Sequence, residues 1–212
     1  MPATPFSILI IPRFCRVSRA DSQWNTLVKQ RCFPFLRTGM VLFFGRRPGM
    51  TDREYMLEAL ALAREGAAAG EVPVGCVIVR GDEIVGRGRN RREEGRSALA
   101  HAELEAISQA CRALGGWRLW ECTLYVTLEP CPMCAGAIVN ARIQKVVYGA
   151  KDAKAGSCGS VCDLFSMAYN HHPQVEAGVL EEECAKLLTD FFRELRVTLR
   201  TRPKWRKKSV DS

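Results

Sequence analysis

The chain has 212 residues, enough for one core of useful size with some chain to spare, and its 47% hydrophobic and 25% charged residues are an ordinary globular balance. No apolar run approaches the roughly 18 residues that span a membrane, and the short run 8–11, stopped by Pro12, has no positive segment before it and reads poorly as an export signal. The net charge of +8 sits mostly at the ends: residues 1–49 hold eight bases against one acid, Asp21, and Arg200, Arg202, Lys204, Arg206, Lys207 and Lys208 follow one another with no acid between them. Ten cysteines without an export signal point to a reducing compartment, the cytoplasm, rather than to a disulfide framework.

Residues 1–49 are broken by Pro2, Pro5, Pro12, Pro34 and Pro48 and show no periodicity. They read as an extension, either disordered or an over-extended start upstream of Met40 or Met50; an Arg-rich targeting peptide and a basic arm toward nucleic acid are the other readings. One folded domain is expected over 50–199, followed by a basic tail over 200–212 that suits either a phosphate backbone or a frayed terminus. Thr51-Asp-Arg-Glu54 is a capping box that starts a helix, continued by Met56, Leu57, Leu60 and Ala63 and ended by Gly70. Residues 72–80 and 83–89 are strands joined by the turn Gly81-Asp82. A loop over 90–100 leads to a helix over 101–114, stopped by Gly115-Gly116. A strand over 123–128, a short helix over 131–141 and a strand over 145–149 read as a right-handed parallel crossover. A weaker strand over 174–177 and a long helix over 180–199 complete an α/β chain: a mixed five-stranded sheet with helices on both faces. Cys76, Cys111, Cys122 and Cys184 fall on apolar patterns and are expected to pack.

Chemistry concentrates in two fragments, Ala100-His101-Ala102-Glu103 and Glu129-Pro130-Cys131-Pro132-Met133-Cys134. A lone His-x-Glu is common, and a lone Cys-x-x-Cys could be a structural zinc half-site or a redox pair. Together, each at a helix start, they say more. Residues i and i+2 diverge within a regular helix, so His101 and Glu103 can converge only at its N-terminus, whereas Cys131 and Cys134 share a face. Pro132 is tolerated in a first turn, whose dipole also favours thiolate. One imidazole and two thiolates make three ligands, and a catalytic zinc leaves the fourth position open. Cys158 and Cys162, in a Gly/Ser-rich loop, are the residues that could close it and make the site structural. Glu103 suits proton transfer between water, a ring nitrogen and departing ammonia, which is hydrolytic deamination of an aminated ring carbon.

The two fragments resemble the signature of the cytidine/deoxycytidylate deaminase superfamily. Glu71-Val-Pro-Val-Gly75, the stretch 123–131, Met133-Cys-Ala-Gly136, Val147-Tyr-Gly-Ala150, Asp152-Ala-Lys154 and Asp190-Phe-Phe-Arg193 are similar, over about 50–196, to the bacterial TadA-type tRNA adenosine deaminases. The resemblance implies a three-layer α/β/α cytidine-deaminase-like fold and one Zn2+ per subunit on His101, Cys131 and Cys134, with Glu103 catalytic. It also implies conversion of adenosine to inosine at the wobble position, with the tRNA anticodon arm as partner, and a homodimer. Asn90, Asp152, Lys154 and Phe192 would contact the substrate. Each has a plainer reading: Asn90 as a turn former after a strand, Asp152 as a cap, and one of Phe191 and Phe192 as core. His171 and His172 read as exposed loop residues. The rival functions are a deaminase of free guanine, cytosine or a nucleotide, and a non-catalytic zinc module that binds RNA.

Overall fold

The structure, a computed structural model, describes residues 49–201; the rest of the expected extension and of the basic tail lie outside them. Helix α1 (Asp52–Ala68) opens on the expected capping box: Glu54 N–H donates to Thr51 Oγ at 3.3 Å, and Thr51 N–H donates to Glu54 Oε2 at 2.6 Å. Met56, Leu60 and Ala63 are buried, but Leu57 is exposed and does not belong to the apolar face. Strands β1 (Gly75–Arg80) and β2 (Glu83–Arg89) form the antiparallel hairpin, turned by Gly81 at φ 62°. β1 starts later than the expected residue 72, since Pro73 has no N–H to give a ladder.

Helix α2 (Ala102–Leu114), strand β3 (Cys122–Leu128), helix α3 (Pro132–Ala141) and strand β4 (Lys145–Ala150) follow. A short 3-10 turn at Leu164–Ser166, absent from the sequence pattern, is capped by Asp163, whose Oδ1 accepts from Phe165 N–H and Ser166 N–H. Strand β5 (Gln174–Ala177) and helix α4 (Glu181–Thr201) end the described chain. The sheet order is β2-β1-β3-β4-β5, with β1 antiparallel to β2 and β3, and β3, β4 and β5 parallel. The expected mixed five-stranded sheet and its β3-α3-β4 parallel crossover are therefore present.

Helices α2 and α3 pack on one face over Ile78, Leu124, Val126 and Val146; α1 and α4 pack on the other over Val77, Val79 and Val147. Cys76, Cys122 and Cys184 are buried in these layers as expected, and Cys111 is half-buried. The contact between α2 and β2 is backbone to backbone. A Cβ on Gly86 would collide with the Ala106 carbonyl, and one on Gly88 with the Ala102 carbonyl. The fully buried Ala102, Ala106 and Ala110 complete this close fit. The packing delivers the N-terminus of α2 to the end of the sheet where β3 leads into α3. Among the described residues, no helix is long and apolar enough to cross a membrane.

Candidate active site

His101 and Cys131 hold the N-cap positions of α2 and α3, both in extended conformation and neither capping its helix with its side chain. The ends of the two helices therefore free an imidazole and a sulfur to face one another, with Cys134 one turn into α3. His101 Nδ1 lies 3.7 Å from Cys131 Sγ and 3.5 Å from Cys134 Sγ, and the three atoms all lie within 4.8 Å of one another. A tetrahedral ion with bonds of ~2.3 Å to sulfur and ~2.0 Å to nitrogen requires an S···N separation of roughly 3.5 Å. The donor set and its spacing fit a zinc-type cation, and the group could hold one. Among the described residues, Cys158 and Cys162 are not part of this group.

Hydrogen bonding prepares the thiols. The Cys134 thiol and then His101 donate to Cys131 and, against the effect of burial, lower its pKa to about 4. The same Cys131 bond, with burial, pushes the Cys134 thiol up. The hydrogen bond to Cys131 raises the His101 pKa, against burial. A cation that takes both sulfurs as thiolates displaces the thiol proton. Glu103, the second residue of α2, is buried beside the triad but outside it, and burial raises its pKa to about 6.

The triad opens into a cavity of about 220 Å3 whose walls include Val74, Asn90, Arg92, Glu103, Leu128 and Asp152. That is below the ~300–1,000 Å3 of drug-sized ligand sites and suits a single extruded base. Asn90 is buried and its Oδ1 accepts from Ala102 N–H at 3.2 Å, leaving the amide N–H2 as donor. Asp152 lines the cavity and also caps its own turn, accepting from Lys154 N–H at 2.9 Å. Lys154 and Phe192 are in a different place, a cleft of about 280 Å3 shared with Leu188, Thr189 and Arg196. Phe192 is exposed there and its ring meets Phe191 edge-on at 5.5 Å. The four expected substrate contacts therefore form two pairs, joined along the loop that carries Asp152 and Lys154.

His171 and His172 lie in a loop, His172 exposed as expected and His171 half-buried; His171 Nε2 lies 2.7 Å from the Ile143 carbonyl and His172 Nδ1 2.8 Å from that of Phe165. Arg92 and Arg196 belong to no motif of the sequence, and the buried carboxylates Glu71 and Glu129 stand in its motifs with no role assigned.

Residues 50–196 match the MafB19-like deaminase family. A tRNA-specific adenosine deaminase from Bacillus subtilis is 52% identical over 146 residues, covering 68% of this chain and 91% of the relative. A solved structure, from studies of A-to-I editing by tRNA:A34 deaminases at the wobble position, is 45% identical with a TM-score of 0.62, covering 64% of this chain and 99% of that one. A guanine deaminase from Nitrosomonas europaea has a TM-score of 0.55 over 69% of this chain and 86% of its own, but at 24% identity it shares the fold alone. The fold is thus the cytidine-deaminase-like three-layer α/β/α arrangement, and the chain belongs to the tRNA-specific adenosine deaminase family.

Proposed function

We propose that this protein hydrolytically deaminates adenosine to inosine at the wobble position of a tRNA anticodon, with a zinc ion held by His101, Cys131 and Cys134. The observation that carries the reading is the meeting, in one base-sized cavity, of a three-donor group with the buried carboxylate of Glu103. The likeness to proteins named as tRNA deaminases supplies the substrate class. Bound there, the ion would supply the Lewis acidity that makes water a nucleophile near neutral pH.

Glu103 has two protons to move. It takes one from the attacking water and delivers it to the ring nitrogen beside the aminated carbon; it then delivers the second to the amino group, which leaves as ammonia. Adenosine and water thus become inosine and ammonia. Asn90 presents its amide donors to the extruded base, and Asp152 borders it. Lys154 and Phe192 meet the flanking nucleotides by charge and by stacking. An anticodon loop, already unstacked in part, lowers the expense of extrusion. On the family resemblance the enzyme is a cytoplasmic homodimer whose folded unit spans 50–199.

The test is to incubate the purified protein with an anticodon stem-loop carrying adenosine at the wobble position and assay inosine, with a chelator as control. Inosine formation that the chelator abolishes and Zn2+ restores is the expected result. Turnover of guanine or cytosine without turnover of the RNA would overturn the proposal.

A further inference from the structure

Two buried carboxylates outside the proton-transfer chemistry each hold one wall of the cavity. Glu129, only 2% exposed, leaves β3 two residues before Cys131. Its Oε2 accepts from Asp152 N–H at 3.1 Å and from the Ser160 hydroxyl; its Oε1 accepts from Cys158 N–H at 2.9 Å and Ser160 N–H at 3.1 Å. The loop closes around this carboxylate so tightly that a Cβ on Gly156 would collide with it. Glu71, also 2% exposed, holds a second segment, the one next to the cavity residue Arg92. Its Oε1 accepts from Glu93 N–H at 2.9 Å and Glu94 N–H at 2.8 Å, which fixes the turn that follows Arg92.

At 71 both N–H groups fall on one oxygen, Oε1, an acceptor that an alanine removes; at 129 both oxygens are taken, and there a carboxylate is the fitting group. It is acceptor-only, with about four lone-pair directions, so a ring of N–H groups satisfies it and it presents no donor in return. A glutamine of the same shape turns N–H2 toward a ring of donors and leaves some of them unpaired in a buried place, which is a cost of the kind that shifts a loop. With both oxygens occupied by the loop, Glu129 has no free lone pair aimed at a substrate, although it borders the cavity.

We infer that Glu71 and Glu129 are positioning residues for the RNA. Glu71 fixes the wall that carries Asn90 and Arg92; Glu129 fixes the loop that carries Asp152 and Lys154, and through it the neighbouring Phe192 cleft. The inference rests on the tRNA reading proposed above. Neither residue touches the reacting atoms, so their loss weakens binding of the RNA uniformly in ground and transition states. Among the described residues the two loops share no hydrogen-bond partner, so the effects multiply.

The experiment is steady-state deamination of the adenosine stem-loop by the full chain and by Glu129→Gln, Glu71→Ala, the double variant and Ser160→Ala, with bound metal and thermal midpoint measured on each. Ser160→Ala removes one donor to Glu129 without altering the carboxylate, and it decides the Glu129 arm if Glu129→Gln does not fold. Expected are a KM raised on the order of 10-fold for Glu129→Gln and for Glu71→Ala and a few-fold for Ser160→Ala. The double variant should show the product of the two, with kcat within about 2-fold and metal retained. An unchanged KM in Glu129→Gln, in Glu71→Ala or in Ser160→Ala overturns the inference. So does a fall in kcat accompanied by metal loss, which would make these residues scaffolding for the triad. Absence of inosine with the unaltered protein sinks the tRNA reading and the inference with it, whereas normal turnover with unmoved KM values sinks the inference alone.

Discussion

The two ends of strands β3 and β4 use polar groups in opposite ways. Toward the amino ends, Tyr125 O–H donates to Asp52 at 2.6 Å, and Lys145 bridges Asp52 at 3.0 Å and Glu176 at 2.7 Å. Every member of that network has a partner among the others, and it borders no cavity described above. Toward the carboxyl ends, Glu103 is buried, its pKa raised to about 6 by that burial, and an imidazole faces two sulfurs. Burying such groups is unfavourable unless something else completes them. One end is arranged for stability, and the other keeps its polar groups in need of a cation and a substrate.

The largest test of this contrast is at Glu103. Glu103→Gln keeps the volume and removes the proton carrier, so kcat should fall by roughly 10²–10⁴-fold or more. Because a buried carboxylate becomes a neutral amide, the thermal midpoint should hold or rise. Inosine assays paired with calorimetry read both; an active variant, or one that unfolds readily, breaks the contrast. Removal of the metal is next. Dialysis against a chelator should abolish deamination, and Zn2+ should restore it, while Cys131→Ser should lower metal content and activity together. Full activity in demonstrably metal-free protein would contradict the assignment of the triad.

Much of this site is legible in the sequence because metal chemistry restricts residue types. Few side chains can ligate a zinc-type ion, so His101, Cys131 and Cys134 stand out, and their helix-start context follows from Pro132 and from the i, i+2 spacing of Glu103. The capping box at Thr51 and the Gly81 turn are equally local and equally visible. Glu71 and Glu129 are not, because their partners are backbone N–H groups of residues 93, 94, 152, 158 and 160, which are the same whatever side chain those positions carry. Arg196 joins Lys154 only when α4 is laid beside the loop, a juxtaposition no local pattern encodes. Leu57 misled for a related reason: an apolar residue next to an apolar face need not belong to it.

At the amino ends the expected effect is on stability alone. The Tyr125 hydroxyl, then Lys145, hold the Asp52 pKa below its ordinary value against some burial. A lowered carboxylate pKa contributes stability that is complete above the unfolded value of about 3.9 and is lost as pH falls through the folded value. Asp52→Asn should therefore be less stable than the parent at neutral pH by about 1 kcal/mol, a figure kept small because the Asp52 side chain is 38% exposed and solvent screens it. The two thermal midpoints, about 2–4 °C apart at neutral pH, should converge as the pH is taken below about 4. Inosine formation should not change. A gap that persists in acid would mean that Asp52 acts through packing or its helix position rather than its charge.

The smallest effect falls in the Lys154 cleft, where the contrast can be sharpened rather than broken. Lys154 is exposed, two residues beyond Asp152, and shares its cleft with Phe192 and Arg196. An exposed cation against a phosphate acts largely by releasing a condensed counterion, so its removal should show in salt dependence more than in affinity at one salt concentration. Lys154→Ala is expected to raise KM for the stem-loop a few-fold and to reduce the slope of log binding constant against log salt by roughly 0.7–0.9, with kcat unchanged. Phe192→Ala should weaken binding with no change in that slope, since stacking on an aromatic ring releases no counterion. If the two variants altered the slope alike, the cleft would not divide charge from stacking. If neither did, the RNA would contact the protein through the Asp152 wall alone.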